Sequence, residues 1–125
     1  GVSREILASL HCDDAWKNTK VAVASRTDEP AWAQECMEKI RIKEGLHMKQ
    51  TISYEEIYYG QKDKHLRALH DKTGIAYEDM MFFDNESANV NDVAALGVHS
   101  FLVPHGMDVK SWQAALEKYA RSKMT

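Results

Sequence analysis

Apolar residues along this chain alternate between helical spacing and short continuous runs. Val2, Ile6, Leu7 and Leu10 recur at three- and four-residue intervals and predict a helix over residues 2–10. The polar stretch HCDDAWKNT reads as a loop. Lys20 to Ala24 (KVAVA) is a β-branched and small apolar run of the kind buried in parallel sheets, ended by Ser25. Asp28 and Pro30 suit the N-cap and first turn of a helix carrying Ala31, Trp32, Met37 and Ile40. The segment RIKEGLHMKQTISY has no clear period and reads as containing a loop. Glu56 to Tyr59 (EIYY) predicts a second strand. Lys62 to Lys72 predicts a helix with Leu66 and Leu69 on one face and Gly74 as its stop. Met80 to Phe83 (MMFF) is the most strand-like run in the chain. A helix over Asn85 to Leu96 follows, with Val90, Val93 and Ala94 inward and Gly97 at its end. Val98 to Val103 (VHSFLV) predicts the last strand, closed by Pro104. Asp108 then caps a final helix carrying Val109, Trp112, Leu116 and Tyr119.

The resulting order, αβαβαβαβα with short connections, predicts an α/β fold. It is the Rossmann-like arrangement in three layers, αβα, with a mainly parallel sheet. No repeat, linker or low-complexity tract interrupts it, so a single domain is expected over residues 1–125. Composition agrees: 44% hydrophobic and 28% charged residues suit one folded domain rather than a disordered or fibrous chain. No apolar run approaches the roughly 18 residues of a membrane span, so no membrane insertion is expected. The first residues, GVSREILASL, carry neither a basic flank nor a cleavage signature. They lack an initiator Met and start inside a predicted helix, which reads as processing, truncation or an incomplete record.

A net charge of −3 gives a nucleic-acid partner no electrostatic support. Cys12 and Cys36 have no CxxC spacing and read as thiols of a cytoplasmic or other reducing compartment. The six His residues are scattered without the spacing of a zinc site. Trp16, Trp32 and Trp112 read as packing residues, and the charged stretch Lys39–Lys49 as a solvated face or loop.

In an open α/β sheet, ligands bind beyond the carboxyl ends of the strands. Those ends carry Ser25-Arg26-Thr27, Gly60-Gln61-Lys62 and Asp84-Asn85-Glu86. Taken singly, Ser25 is a turn residue, Lys62 a solvated charge, and Asn85 and Asn89 turn and cap residues. Together they form the set a phosphate needs: hydroxyl donors, a Lys point charge, and an acid to hold Mg²⁺.

Three blocks, VAVASRTD, IYYGQKDKHLRALHDKTGI and MMFFDNESANVNDVAALGV, then carry a resemblance. In this order they are similar to the magnesium-dependent phosphatase family of the haloacid dehalogenase superfamily, over nearly the whole chain. The resemblance implies that Ser25 binds the transferring phosphoryl group, with Arg26 beside it on the substrate. It implies that Lys62 neutralises phosphate and the attacking carboxylate, and that Asp84 and Asn85 hold Mg²⁺. Many relatives carry a second Asp where this chain has Asn85; the change removes a charge but keeps an oxygen ligand.

The family's reaction starts from an Asp at the end of an apolar strand, in a DxDxT-type motif. No such motif is present, since Asp13-Asp14 follows a polar stretch. The expectation is therefore a haloacid dehalogenase-like core missing its central N-terminal strand, without a large cap and with an open pocket, and inactive as it stands without an upstream Asp nucleophile. Its substrate would be a phosphoprotein, phosphotyrosine included, or a small phosphate ester such as a sugar phosphate. Alternatively the chain is a pseudophosphatase, a non-catalytic subunit whose open sheet accepts a strand-donating segment or assembly partner. A phosphoacceptor receiver domain is set aside, because it needs an early acid pair and then Asp, Thr and Lys on successive strand ends.

Overall fold

Alternating apolar runs and amphipathic stretches yield six α-helices and six strands among residues 2–124, the part of the chain the computed structural model describes. Gly1 and Thr125, the ends of the expected domain 1–125, lie outside the described residues. The chain divides into two compact units, one ending at Gly60 and the other beginning at Gln61.

The first unit opens with helix α1 (Val2–Cys12), two residues longer than its apolar spacing predicts. A 3-10 turn over Asp14–Trp16 follows within the expected loop. Strand β1 (Ala22–Ser25) pairs in parallel with β4 (Tyr54–Ile57), Ala22 opposite Tyr54 and Ser25 opposite Ile57. The strand predicted at residues 56–59 thus starts two residues earlier, where Ser53 donates its N–H to the Val21 carbonyl at 2.7 Å.

Helix α2 (Pro30–Lys39) has Pro in its first turn as predicted, but its N-cap is Glu29 rather than Asp28. Thr27 explains the offset: its hydroxyl oxygen accepts the Glu29 N–H at 3.1 Å and turns the chain one residue later. Met37 is the buried residue of α2, whereas Trp32 is 60% exposed and does not pack as expected.

The unreadable segment is a β-hairpin, β2 (Arg41–Lys43) and β3 (Leu46–His47), followed by the short helix α3 (Met48–Thr51). Ile42 and Leu46 are buried while Arg41 and Lys43 are exposed, so the charged stretch solvates only one side. Gly45, at φ +79°, makes the tight reversal that a side chain would resist. Helix α1 packs on β2 and α3.

The second unit starts with α4 (Lys62–Thr73), whose Leu66 and Leu69 are buried as their spacing predicts. Gly74 is its left-handed C-cap at φ +72°, donating its N–H to His70. No atom lies within 4 Å of the position a Cβ would take there, so a side chain would cost only backbone strain. Gly74→Ala is expected to lower unfolding free energy by about 1–2 kcal/mol, measured by urea titration. Gly74→Asn, which tolerates this conformation better, should lose less.

After a 3-10 turn at Tyr77–Asp79, β5 (Met81–Asp84) pairs in parallel with β6 (His99–Leu102), Asp84 opposite Leu102. Helix α5 (Ser87–Ala94) makes the crossover and packs on both strands. Its buried residues are Asn89 and Val93, whereas Ala94 is exposed. Helix α6 (Val109–Ser122) is capped by Asp108 as predicted, its carboxylate accepting the Ser111 N–H at 2.6 Å.

The architecture is α/β with parallel strand pairs. Among the described residues β1, β4, β5 and β6 each have one ladder neighbour. No helix among these residues is long and apolar enough to cross a membrane.

Candidate functional site

Strand alternation places the chemistry of the second unit. Residues two apart on a strand share a face, so Phe82 and Asp84 project together and Phe83 projects oppositely. Phe83 stacks on Phe101 with ring centroids 5.3 Å apart and tilts against Trp112 at 5.7 Å. That packing anchors the strand and leaves the other face to a polar cluster. There, in the first turn of α4, the Lys62 ammonium donates to Asp84 Oδ2 at 2.8 Å and lies 5.4 Å from the Phe82 ring centroid.

Both members of this pair are nearly buried, their side chains 9% and 8% exposed. Lysine at a helix N-terminus opposes the positive end of the helix dipole, so Asp84 must provide the attraction that keeps it there. Asp84 takes two further donors. The Glu86 N–H reaches Oδ1 at 2.9 Å, and the Asn89 amide reaches Oδ2 at 3.3 Å. Burial pushes the Asp84 carboxyl upward, but the Lys62, Glu86 and Asn89 donors outweigh it and hold it below its ordinary value. Asp84 is thus an anion at neutral pH, inside a pocket of donors.

A carboxylate has about four acceptor positions. The three donors at Asp84 leave about one acceptor position open. Asn85, next in the chain and exposed, adds an amide oxygen. Two hard oxygen donors suit Mg²⁺, which takes few protein ligands and keeps several waters. Among the described residues no cluster of three or more His, Cys, Asp or Glu would hold a metal alone.

The remaining expected residues, Ser25 and Arg26, lie in the first unit at the end of β1, both half-buried. The Ser25 hydroxyl oxygen accepts the Thr27 N–H at 3.3 Å. The Arg26 guanidinium stands 5.9 Å from the ring centroid of Tyr59, which is 77% exposed just past the paired strand β4.

Two polar residues go beyond the sequence reading. Asn89, read as a cap, is 3% exposed and bonded to Asp84; its signal was the four-residue spacing to Val93 on the inner face of α5. His65, one of the six scattered His and one helical turn after Lys62, is completely buried. Asp13 and Asp14 are exposed, and Asp13 accepts the Ser9 hydroxyl at 2.5 Å.

Comparison with known proteins adds a family and a fold. Residues 2–122 match the family described as Acid Phosphatase. Over 102 residues the chain is 34% identical to "Magnesium-dependent phosphatase 1" of Homo sapiens, covering 82% of this chain and 54% of that protein. It is 36% identical over 87 residues to a HAD-like hydrolase superfamily protein of Schizosaccharomyces pombe, covering 66% of this chain and 50% of that one. The chain thus spans about half the length of the curated relatives it matches. A solved HAD family enzyme from Bacteroides thetaiotaomicron is similar in fold, with a TM-score of 0.67 at 15% identity, covering 89% of this chain and 56% of its own. That crystal structure is of an aspartate-to-alanine mutant in complex with magnesium and inorganic phosphate. The haloacid dehalogenase-like fold expected from the sequence is therefore present.

Proposed function

This chain belongs to the Acid Phosphatase family, and on that premise we propose that its protein hydrolyses phosphate monoesters with Mg²⁺. The observation that carries the reading is the buried Lys62–Asp84 pair, with Asn85 and Asn89 beside the acid. Asp84 and Asn85 would hold the cation, and Asn89 would fix the Asp84 carboxylate. Bound Mg²⁺ supplies positive charge against which a phosphate is neutralised and oriented. Lys62 brings a point charge to the phosphoryl oxygens, while for Ser25 and Arg26, in the first unit, the phosphate and substrate roles rest on the family resemblance alone.

The substrate class proposed is an exposed phosphate ester, including a protein phosphotyrosine. Arg26 over the exposed Tyr59 ring supports this choice, since an aromatic leaving group could stack where the guanidinium and ring already meet. The attacking carboxylate has no candidate among the described residues. We assign it to an aspartate on another segment or chain. A strand bearing it would satisfy a ladder edge such as those β1 and β5 keep unpaired among the described residues. These edges also support a second reading, a non-catalytic subunit that takes a strand from a partner. The free thiols, Cys12 exposed and Cys36 half-buried, are compatible with a reducing compartment.

The test is phosphate release by the native protein from p-nitrophenyl phosphate and from a phosphotyrosine peptide. Mg²⁺ should support release, EDTA should stop it, and re-added Mg²⁺ should restore it. Release that is indifferent to EDTA would contradict the metal. No release from any ester would favour the subunit.

A further inference from the structure

His65 is 0% exposed, which for a polar ring is costly unless its nitrogens are bonded. A leucine in its place would simply extend the apolar stripe of Leu66 and Leu69. One of its ring atoms, Nδ1, lies 3.1 Å from the main-chain oxygen of Gln61. A carbonyl only accepts, so Nδ1 carries the hydrogen. Gln61 is the N-cap of α4, has extended backbone angles (φ −69°, ψ 145°), and makes no side-chain cap bond. Its carbonyl also accepts the Lys64 N–H at 3.1 Å. The imidazole therefore pins the junction between loop and helix, immediately before Lys62.

Lys62 needs such an anchor. Its ammonium sits at the disfavoured end of the helix dipole, and its flexible four-carbon stem must deliver the charge to Asp84 at 2.8 Å. We infer that His65 is a positioning residue: by bonding the Gln61 carbonyl it fixes the first turn of α4 and aims the Lys62 ammonium at Asp84. Its consequence for ligand binding rests on the proposed phosphate reading; the aim of Lys62 does not.

Two substitutions separate the hydrogen bond from mere filling of space. In His65→Asn the amide nitrogen can stand where Nδ1 stood; in His65→Leu nothing donates. Both are examined by NMR in the native protein, with folding monitored by circular dichroism. The Lys62 ammonium signal, protected by its buried pair, is expected in wild type and His65→Asn and absent from His65→Leu. Inorganic phosphate, titrated with Mg²⁺ present, should bind about tenfold more weakly to His65→Leu, and His65→Leu should add nothing to Lys62→Ala. A Lys62 signal retained in His65→Leu, or lost equally in His65→Asn, overturns the inference. If His65→Leu does not fold, the wild-type ring decides: its ¹⁵N shifts must show a protonated Nδ1, and a hydrogen on Nε2 alone overturns it. Unchanged phosphate affinity in Lys62→Ala removes the phosphate reading instead, and the ammonium signal still judges His65.

Discussion

Asp84→Ala is expected to abolish Mg²⁺-dependent ester hydrolysis by the native protein, lowering kcat/KM by at least about a thousandfold. Asp84 collects three donors, from Lys62, Glu86 and Asn89, and stays anionic among them. Alanine removes the charge that would hold the cation and frees the ammonium that would meet the phosphate. It also strands a buried cation, so part of any loss could come from unfolding. Asp84→Asn separates the two effects, because it keeps shape and some hydrogen bonding while removing the charge. Both variants should be inactive by initial-rate assay, with Asp84→Asn the better folded of the two by circular dichroism. Full turnover in a folded Asp84→Asn protein would remove Asp84 from the metal.

Lys62→Met is expected to cost about 3–5 kcal/mol of stability, the usual penalty for leaving a buried charge without its partner. The side chains of the pair are 9% and 8% exposed, so water cannot replace the ammonium at Asp84 without opening the structure. The double variant Lys62→Met/Asp84→Leu should recover most of that loss, because removing both charges also removes their desolvation. Urea unfolding of the three proteins measures the coupling. The pH dependence has a definite sign. The folded-state carboxyl of Asp84 lies below its unfolded value, so its contribution is fully present above about pH 3.9 and is lost as pH falls through the depressed value. In Lys62→Met, protonation relieves the unpaired charge, so the gap to wild type should narrow as the solution is acidified.

How much of this was legible in the sequence follows from how each residue is held. Helix α4 and its Gly74 stop, strand β5, and the Asp108 cap rest on local signals: a helical stripe, a pure apolar run, a short acceptor before a helix. These survive because tertiary packing agrees with them. The β2–β3 hairpin was unreadable, since strands of three and two residues are too short to show alternation. The offset of β4 and the Glu29 cap were set by single hydrogen bonds, at Val21 and Thr27, which no spacing announces. At the site, Lys62 and Asp84 stood out because a charge at the end of an apolar strand or the start of a helix is out of place. Asn89 and His65 were harder to read. A polar residue on a helix looks solvated until the fold shows its face to be inward.

The central proposal is that Asp84 and Asn85 hold the metal while Lys62 brings its charge to the phosphate. Titrating the native protein with Mn²⁺ as a paramagnetic substitute for Mg²⁺ tests it most directly. The account predicts that the NMR signals of Asp84, Asn85 and Asn89 broaden first, that Mg²⁺ reverses the broadening, and that Asp84→Asn abolishes it. Broadening that begins elsewhere, or that survives the loss of the Asp84 charge, would contradict it.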